Sequence, residues 1–430
     1  MKTTDLRKVD DFTKILREVL DRQNEKLDSV SRIVDGIITD VRNNGDEALL
    51  RMMREFDGVS VESLRVKQEE IDEAYENADP FLVKVLEESR DNIKRYHSMQ
   101  KYSDIDVNDG SKRLTQKITP IKRVGLYIPG GKSPYPSTVL MNSVPASVAG
   151  VKEICLITPP DKTTGRVNAN ILTAAKVCGI EEVYISGGAG AIAALAYGTE
   201  TIKPVFKICG PGNVFVAEAK KKVYGDVDID MIAGPSEVLV IADENANARY
   251  VAADLLSQAE HDENAAPILV TTSKALADEV LLQVSKQLDE LEKKDIASKS
   301  VENFGMIFIV DDINKAFEVS NEIAPEHLEI ALEDPFSYLD MVENAGSVFM
   351  GEYTPEPVGD YFAGTNHTIP TSGKAKFYSP LSTYDFMKRT SIVYYSREEL
   401  EKHADKIVAF ARSEGLTAHA KAVERRFEEK

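Results

Sequence analysis

Residues 153–190, EICLITPPDKTTGRVNANILTAAKVCGIEEVYISGGAG, carry the pattern that decides the fold class. Two short apolar runs, EICLIT and EEVYIS, end in Pro or Gly turns, and the small and apolar residues of 168–178 between them favour a helix. VGLYI before PGG, FKIC before GPGN and a helical segment over 137–149 repeat this alternation. Because parallel strands need a crossover connection, alternation at this spacing predicts a parallel α/β sheet.

A second series of alternating predicted strands and helices follows in the chain. EVLVIAD precedes a helix that ends near His261, and PILVTT, a helix over 275–291 and MIFIVDD come next. Residues 10–100 and about the last 40 residues show helical spacing instead, with a turn at Glu414–Gly415. The sequence therefore predicts two similar, parallel-sheet, Rossmann-like α/β domains with small helical N- and C-terminal extensions.

Composition and charge narrow the class of partner. The 430 residues suffice for two or three domains with ample core. A formal net charge of −19 argues against a nucleic-acid or anionic-membrane surface, since both need concentrated Lys and Arg. The first residues lack the apolar stretch of a signal peptide, no run reaches the ~18 apolar residues of a membrane helix, and the three cysteines form no CxxC pair. These features predict a cytoplasmic protein that acts on small molecules.

The six histidines are unevenly distributed along the chain. His97 and His403 lie in charged helical sequence, where surface positions are expected. The other four histidines lie in segments rich in turns, small residues and acids. They are His261, His327, His367 and His419. This second group contains the candidates for chemistry.

A metal site is one interpretation of this group. Gln258 and His261 are three residues apart and share one helix face. Zinc accepts imidazole nitrogen and carboxylate oxygen, so Asp360 and His419 are candidate donors beside them, in a site assembled from distant segments. The alternative is a solvated polar helix end, with Asp360 as a turn residue after Gly359 and His419 as an ordinary helical histidine. Spacing alone leaves both interpretations open.

IAPEHLEI places an acid beside an imidazole. Pro325 ends the preceding helix and brings Glu326 and His327 to the start of a strand. A carboxylate beside an imidazole of pKa about 6.5 supplies two proton acceptors at neutral pH, although adjacent Glu and His also occur by chance on many surfaces. Cys209 could attack an aldehyde, but a buried, inert thiol is the commoner state of a cysteine next to apolar strands.

Glycine-rich turns follow several predicted strands. Residues 188–193, GAGAIA, match G-x-G-x-x-A at the start of a helix. The match is weak, because Lys203 and Pro204 stand where an acidic ribose partner is expected, and a tight turn with close helix packing is the alternative. YIPGGKSPYPST and CGPGN are further turns whose backbone amides could meet phosphates.

Several long blocks, in order, resemble the histidinol dehydrogenase family from about residue 30 to about residue 425. Such a series is far more specific than a single turn motif. The blocks are VGLYIPGG, GPGNVFVAEAK, AGPSEVLVIAD, DLLSQAEHD, APEHLEI, AGSVFMGEYTPEPVGDY, GTNHTIPTSGKA and LTAHAKAV.

The resemblance implies an NAD-dependent enzyme that oxidises L-histidinol to L-histidine through bound L-histidinal, the last step of histidine biosynthesis. It implies one zinc ion per subunit, with ligands Gln258, His261 and Asp360 and with His419 donated by the second subunit of a homodimer. In this arrangement zinc clamps the imidazole and amino groups of the substrate.

The family's roles also carry over to the remaining motif positions. His327 is implied as the general base, Glu326 as the residue that activates water, and Tyr127 and Asn213 as contacts to NAD. Substrate contacts are implied at Ser236, Gln258, His261, His327, Asp360, Glu414 and His419.

The implied architecture is an intertwined homodimer with a discontinuous domain arrangement. Residues 1–23 would form a helical arm, and 24–126 with 236–380 the zinc and substrate domain. Residues 127–235 would form the NAD-binding domain, inserted into the other, and 381–430 a helical dimerisation domain.

One position departs from the family pattern, which commonly has Gln where this chain has Gly190. The side-chain contact to NAD is then absent, so backbone or a neighbour replaces it or NAD binds more weakly. The departure also suggests that the G-x-G-x-x-A match has no dinucleotide-binding meaning.

Two other functions fit parts of the pattern. A sulfopropanediol dehydrogenase would keep zinc, NAD and the fold but need basic residues around a sulfonate, whereas Glu414 suits a cationic amino group. A catalytically inactive zinc-binding or regulatory protein would be expected to lose Glu326 or His327, and both are present.

Overall fold

The computed structural model describes residues 1–9, 11–20, 27–100, 102–130 and 134–428. Its strands are β1 (Lys2–Asp5), β2 (Ile105–Asn108), β3 (Lys112–Pro120), β4 (Arg123–Tyr127), β5 (Glu153–Thr158), β6 (Glu182–Ile185), β7 (Lys207–Cys209), β8 (Asp228–Ile229), β9 (Glu237–Ala242), β10 (Ala266–Thr271), β11 (Met306–Ile309), β12 (His327–Ala331), β13 (Ser347–Met350) and β14 (Met387–Tyr395). Its helices are α1 (Thr13–Leu20), α2 (Leu27–Met52), α3 (Gln68–Glu76), α4 (Pro80–His97), α5 (Pro136–Ala149), α6 (Ala169–Val177), α7 (Gly188–Tyr197), α8 (Val214–Val223), α9 (Ala248–Ala259), α10 (Lys274–Leu288), α11 (Lys294–Phe304), α12 (Ile313–Ile323), α13 (Glu356–Tyr361), α14 (Arg397–Ser413) and α15 (Thr417–Glu424). Single 3-10 or π turns occupy Leu6–Lys8, Met53–Asp57, Pro335–Met341, Lys374–Lys376 and Thr383–Phe386. The chain forms two compact units, Met1–Gln100 with Ile121–Phe386, and Lys101–Pro120 with Met387–Lys430.

A five-stranded parallel sheet of order β6-β5-β4-β7-β8 lies in the first unit. Helices α5 to α8 connect its strands, as a parallel sheet requires. Chain order runs outward from β4 to β6 on one side and from β7 to β8 on the other. The carboxyl ends of β4 and β7 therefore flank a topological switch point, where open α/β sheets bind ligands.

A six-stranded parallel sheet of order β1-β11-β10-β9-β12-β13 lies in the same unit. Its central strands β9 and β10 are buried along their whole length, because apolar clusters cover both faces of the sheet. This burial explains their continuous apolar sequences. The two predicted parallel sheets are confirmed.

The second unit contains an antiparallel sheet of order β14-β3-β2, followed in the chain by α14 and α15. The two helices and the turn at Gly415, which has φ +74°, match the expected helical C-terminal segment. The three strands were not predicted from the sequence.

The amino-terminal segment differs from the expected helical arm in its first residues. Lys2–Asp5 forms an edge strand parallel to β11, and helix begins only at Thr13. Residues 10 and 21–23 of the expected arm lie outside the described residues. Strand β4 begins at Arg123, upstream of the expected domain boundary at residue 127.

The surface position expected for His97 is wrong. The side chain has no solvent exposure and its Nδ1 lies 2.8 Å from the Gln100 Oε1. In α4 the buried residues are Leu86, Ser89, Ile93 and His97, so His97 continues the buried stripe of the helix.

Within the described ranges, no helix combines the length and the apolar character that crossing a membrane requires.

Candidate active site

His327 lies at the amino ends of the central strands β9 and β12. It is the first residue of β12, pairs with Val238 of β9, and is 4% exposed. Its Nδ1 lies 3.0 Å from the Glu237 carbonyl oxygen and 3.0 Å from the Gln258 Nε2. The Gln258 amide nitrogen can only donate, so Nδ1 accepts from it when unprotonated, whereas the Glu237 carbonyl oxygen can only accept, so Nδ1 satisfies it in the tautomer with the proton on Nδ1. In that tautomer Nε2 is the basic nitrogen.

Glu326 is fixed by the backbone of the neighbouring strand. Its Oε2 accepts the Glu237 N–H at 2.9 Å and lies 3.8 Å from the His327 Nδ1. Burial raises the pKa of Glu326 to about 7, although the charge of His327 opposes the shift. A carboxyl group with a pKa close to neutrality is suited to exchange protons at physiological pH.

The carboxyl end of α9 supplies Gln258 and His261. The His261 N–H donates to the Gln258 carbonyl at 3.2 Å, so the helical turn continues to His261. Gln258 is completely buried, whereas His261 and the residues Asp262 and Glu263 after it are half-buried. Burial lowers the pKa of His261, and the nearby charge of Asp360 opposes the shift.

Glu356 and Asp360 lie one turn apart on α13. The His327 Nε2 is 3.6 Å from the Asp360 Oδ1 and 3.9 Å from the Glu356 Oε1. One potential ligand atom from each of these three residues lies within 4.8 Å of the others. Glu356 was not predicted from the sequence, although its four-residue spacing to Asp360 in PEPVGDY places both carboxylates on one helix face.

Negative charge dominates this cluster. Burial alone would lower the pKa of His327, but the carboxylates of Glu356, Glu326 and Asp360 outweigh it and raise the pKa well above 6.5. Burial also raises the pKa of Glu356 to about 8, with Asp360 and Glu326 adding to the shift against the opposing charge of His327. Buried carboxylates need a proton or a cation as counter-charge, so the cluster has the electrostatic character of a cation site.

The donor set of the cluster fits a metal ion. Three buried atoms in and beside this cluster have no hydrogen-bond partner among the described residues: the Gln258 Oε1, the His327 Nε2 and the Glu356 Oε2. Imidazole nitrogen and carboxylate oxygen are ligands of zinc. Of the expected ligands, Asp360 belongs to the tight group with His327, and Gln258 contacts His327. His261 lies close enough for Asp360 to influence its pKa but is not part of the tight group.

The remaining expected substrate contacts lie in both units. Ser236 directly precedes β9, at the same edge of the sheet as Glu326, and its carbonyl accepts the Ala266 N–H at 3.0 Å. Glu414 directly follows α14 and His419 lies on α15, and both are exposed.

The expected contacts to NAD, Tyr127 and Asn213, lie at the switch point of the five-stranded sheet. Tyr127 ends β4, and its hydroxyl accepts the Gly188 N–H at 3.3 Å. Asn213 follows β7 and caps α8, because its Oδ1 accepts the N–H groups of Phe215 at 3.0 Å and Val216 at 3.2 Å. Both residues therefore lie at the switch point between β4 and β7, where the rule for open α/β sheets places the ligand crevice. Residues 131–133 of the YIPGGKSPYPST turn lie outside the described part of the chain.

Gly190 faces helix α2. A Cβ added at Gly190 would lie 3.0 Å from the Met52 Sδ and 3.2 Å from the Leu49 Cδ2. This close approach supports the packing interpretation of residues 188–193.

The thiol of Cys209 is not suited to nucleophilic attack. It is completely buried at the end of β7, and burial raises its pKa well above the usual value. A thiol held in its neutral form is a poor nucleophile, which favours the inert alternative.

One histidine connects the crevice with the cluster. His367 places its Nε2 3.3 Å from the Thr138 Oγ1 near the start of α5, and its Nδ1 3.0 Å from the Asp360 carbonyl oxygen. Because α5 follows β4, its amino end lies beside the crevice at Tyr127. His367 therefore links the amino-terminal part of α5 to the segment that carries Asp360.

Two parallel sheets, a crevice at a topological switch point and a buried histidine–carboxylate cluster define an α/β enzyme. The family model "Histidinol dehydrogenase" matches residues 20–427. Among curated proteins, the histidinol dehydrogenase of Listeria monocytogenes is 51% identical over 397 residues, covering 92% of each chain. That of Clostridium acetobutylicum is 49% identical over 418 residues, covering 97% of each. The crystal structure of histidinol dehydrogenase from Elizabethkingia anophelis superposes with a TM-score of 0.92 at 38% identity, covering 99% of this chain and 98% of that one. The chain belongs to the histidinol dehydrogenase family and is an oxidoreductase of histidine biosynthesis.

Proposed function

We propose that the protein catalyses the NAD-dependent, four-electron oxidation of L-histidinol to L-histidine through bound L-histidinal. The observation that carries this proposal is the buried His327, whose Nε2 faces two carboxylates without a hydrogen-bond partner among the described residues while Glu326 is fixed beside it. Membership of the family supports the choice of substrate.

Zinc is the metal that we propose for the cluster, with Gln258, His261 and Asp360 as ligands and His419 supplied by a second copy of the chain. The unpartnered Gln258 Oε1 and the excess of buried carboxylate support this assignment. When bound, zinc would hold the imidazole and amino groups of the substrate and balance the negative charge. That balance matters for His327, because the surrounding carboxylates otherwise favour its protonated form.

In the first oxidation the His327 Nε2 would accept the proton of the substrate alcohol, and NAD+, when bound, would supply the hydride acceptor for the alcohol carbon. The Asp360 and Glu356 carboxylates, at 3.6 and 3.9 Å, stabilise the imidazolium that forms. The contact from Nδ1 to the Glu237 carbonyl fixes the orientation of the ring.

In the second oxidation Glu326 accepts a proton from the water that adds to the aldehyde carbon. The hydrate anion that remains would give up a second hydride, for which a second NAD+ would be the acceptor, and its last hydroxyl proton would pass to His327, once that residue has released the first proton to solvent, to give the carboxylate. Because the Glu237 N–H holds the Glu326 Oε2, the acceptor keeps its position through both steps.

We further propose a cytoplasmic homodimer in which Glu414 and His419 of one copy complete the site of the other. Their exposure at and after the end of α14 supports this role, since side chains that serve another subunit must not be buried in their own. A carboxylate such as Glu414 suits the substrate's cationic amino group.

The proposed function is tested by following NADH formation from L-histidinol with zinc-loaded protein. We expect two NADH per histidinol, loss of turnover on chelation, and a fall in kcat of roughly 10²–10⁴-fold for His327→Ala. His403→Ala is the matched control, since His403 lies half-exposed on α14, and it should keep wild-type activity.

A second pair of variants tests the metal assignment. Gln258→Leu keeps the approximate size but removes the carbonyl oxygen, so zinc content after dialysis should fall, whereas Gln258→Glu should retain zinc. Full turnover by His327→Ala, or wild-type zinc content in Gln258→Leu, would contradict the assignment of these roles.

A further inference from the structure

The loop Gly210–Asn213 follows β7, and both backbone hydrogen-bonding groups of its first residue, Gly210, are bonded to side chains. The Gly210 N–H donates to the Asp230 Oδ2 at 2.7 Å, and the Gly210 carbonyl accepts from the Lys220 Nζ at 2.9 Å. Lys220 and Asp230 also form an ion pair with each other. Two side chains from different elements thus fix both hydrogen-bonding groups of one peptide residue.

This ion pair is buried almost completely. The Lys220 side chain is 2% exposed and the Asp230 side chain 1% exposed. A second oxygen of Asp230, Oδ1, accepts the Met231 N–H at 2.6 Å. Burying two charges is costly unless their remaining hydrogen-bonding capacity is used, and here it is used on the backbone of Gly210 and of Met231. The proposed chemistry of the enzyme does not involve either residue.

The held residue lies against the end of β4. Gly210 has φ +121°, and a Cβ built on it would lie 1.9 Å from the Tyr127 carbonyl oxygen. The loop can therefore approach Tyr127 this closely only with glycine at this position. Three residues later Asn213 caps α8, the helix that carries Lys220.

These contacts connect the loop, helix α8 and the ion pair in a ring. The loop runs from Gly210 to Asn213, α8 runs from Asn213 to Lys220, and Lys220 returns to the carbonyl of Gly210. The ion pair is therefore hydrogen-bonded directly to the loop that lies at the switch point.

We propose that Lys220 and Asp230 are positioning residues for the nicotinamide dinucleotide, holding the Gly210–Asn213 loop in its binding conformation without contacting the ligand. This inference rests on the proposed NAD-binding crevice. Preorganising a loop removes the ordering cost from the binding step, so loss of the pair should weaken NAD+ binding more than it alters the chemical step.

The test is the double variant Lys220→Met with Asp230→Asn, which removes both charges and so leaves no uncompensated buried ion. Direct titration of the folded variant with NAD+ should show a rise in Kd of about ten-fold or more. The KM for NAD+ should rise in parallel, while zinc content and the KM for histidinol stay close to wild type.

The matched control is Lys207→Met with Asp228→Asn. Lys207 is also buried, pairs with Asp228 at 2.7 Å, and donates to the Ile229 carbonyl at 3.0 Å, so it braces the same sheet without contacting the loop. Its loss should leave the Kd for NAD+ unchanged. If the first variant does not fold, Lys220→Gln with Asp230→Asn also removes both charges, keeps a donor for the Gly210 carbonyl and an acceptor for the Gly210 N–H, and should show a smaller rise in Kd.

Three outcomes separate the alternatives. Absence of NAD+ binding to the wild-type protein would remove the proposed cofactor site itself. Normal binding by the wild type and by a folded Lys220→Met, Asp230→Asn variant would overturn only the positioning role. Equal losses in this variant and in the Lys207 control would also overturn it, because the effect would then be a general loss of sheet stability.

Discussion

Replacing Gly346 by alanine would place a methyl group against the backbone that carries the proposed catalytic pair. Gly346 precedes β13; its N–H donates to the Pro325 carbonyl at 2.9 Å, and the next residue, Ser347, donates to the Glu326 carbonyl at 2.9 Å. A Cβ on Gly346 would lie 2.5 Å from the Glu326 carbonyl oxygen, whereas ordinary contact begins at 3.4 Å. The two backbones must therefore separate by about 0.9 Å, the difference between these distances.

This displacement should affect both rate and stability. Misplacement of a reacting group by ~1 Å can lower a rate by ~10²-fold, so we expect kcat for histidinol oxidation to fall by roughly that factor. Inserting a methylene into a packed region costs ~1–3 kcal/mol, so the free energy of unfolding should fall by a similar amount. Steady-state NADH formation and equilibrium unfolding in urea measure the two effects.

The control is Gly36→Ala in the exposed part of α2. An added Cβ meets nothing within 4 Å there, so the helix should be stabilised by ~0.5–1 kcal/mol with unchanged activity. If Gly346→Ala behaved like Gly36→Ala in both assays, the close backbone contact between β13 and Glu326 would not constrain the site, and the reasoning would be refuted.

Four further outcomes can be checked with simple measurements. Glu356→Gln should weaken zinc binding by at least ~10-fold in a chelator competition, because it removes one of the carboxylates around the cluster; unchanged affinity would show that Glu356 does not act on the metal. Removing the metal should lower the melting temperature, since a ligand at ~100 times its Kd contributes ~2.7 kcal/mol, and added zinc should restore it. At pH 8 the thiol of Cys178, whose pKa burial raises to about 11 from 9.0, should alkylate about 100-fold more slowly than the same cysteine in the unfolded chain. Burial lowers the pKa of His97 below 6.5, so the unfolded state binds the proton first as the pH falls. The stability of the wild type relative to His97→Phe should therefore decrease below pH 6.5. Parallel stability curves for the two proteins would contradict this prediction.

The inner strands of the two parallel sheets were predictable because they are buried on both faces, whereas the edge strand β1, whose residues are exposed or half-buried, was not predicted. EICLIT coincides with β5, and EVLVIAD extends one residue beyond β9. A strand buried on both faces is apolar at every position, and the turn after it is rich in Gly, Pro or Asp. Such segments stand out from the helical sequence on either side without any knowledge of their partners.

The antiparallel sheet of the second unit has no comparable signal. Strand β3, KRLTQKITP, has exposed and half-buried positions in no regular alternation, and every residue of β2 is exposed. The pairing of β3 with β14 joins Pro120 to Met387, so the information that completes the sheet is far away in the chain. Propensity and periodicity describe local preferences, and here the partner strand decides the structure.

In the candidate site, too, residues close together in sequence could be predicted to act together, whereas contacts between distant segments could not. Glu326 and His327 could be placed at a strand entry, and Gln258 and His261 on one helical turn, because each pair is contiguous or nearly so in sequence. Only the fold shows that α13 lies against His327. Without this contact, nothing in the sequence distinguishes Glu356 from the many other acidic residues of the chain. The spacing of Glu356 to Asp360 nevertheless singles it out once Asp360 is a candidate ligand. His97 would have been placed correctly by the same procedure, since it follows Ile93 by one turn on the buried stripe of α4. For a polar residue on a helix, the residues one turn away are therefore better evidence for its position than the charge of its immediate neighbours.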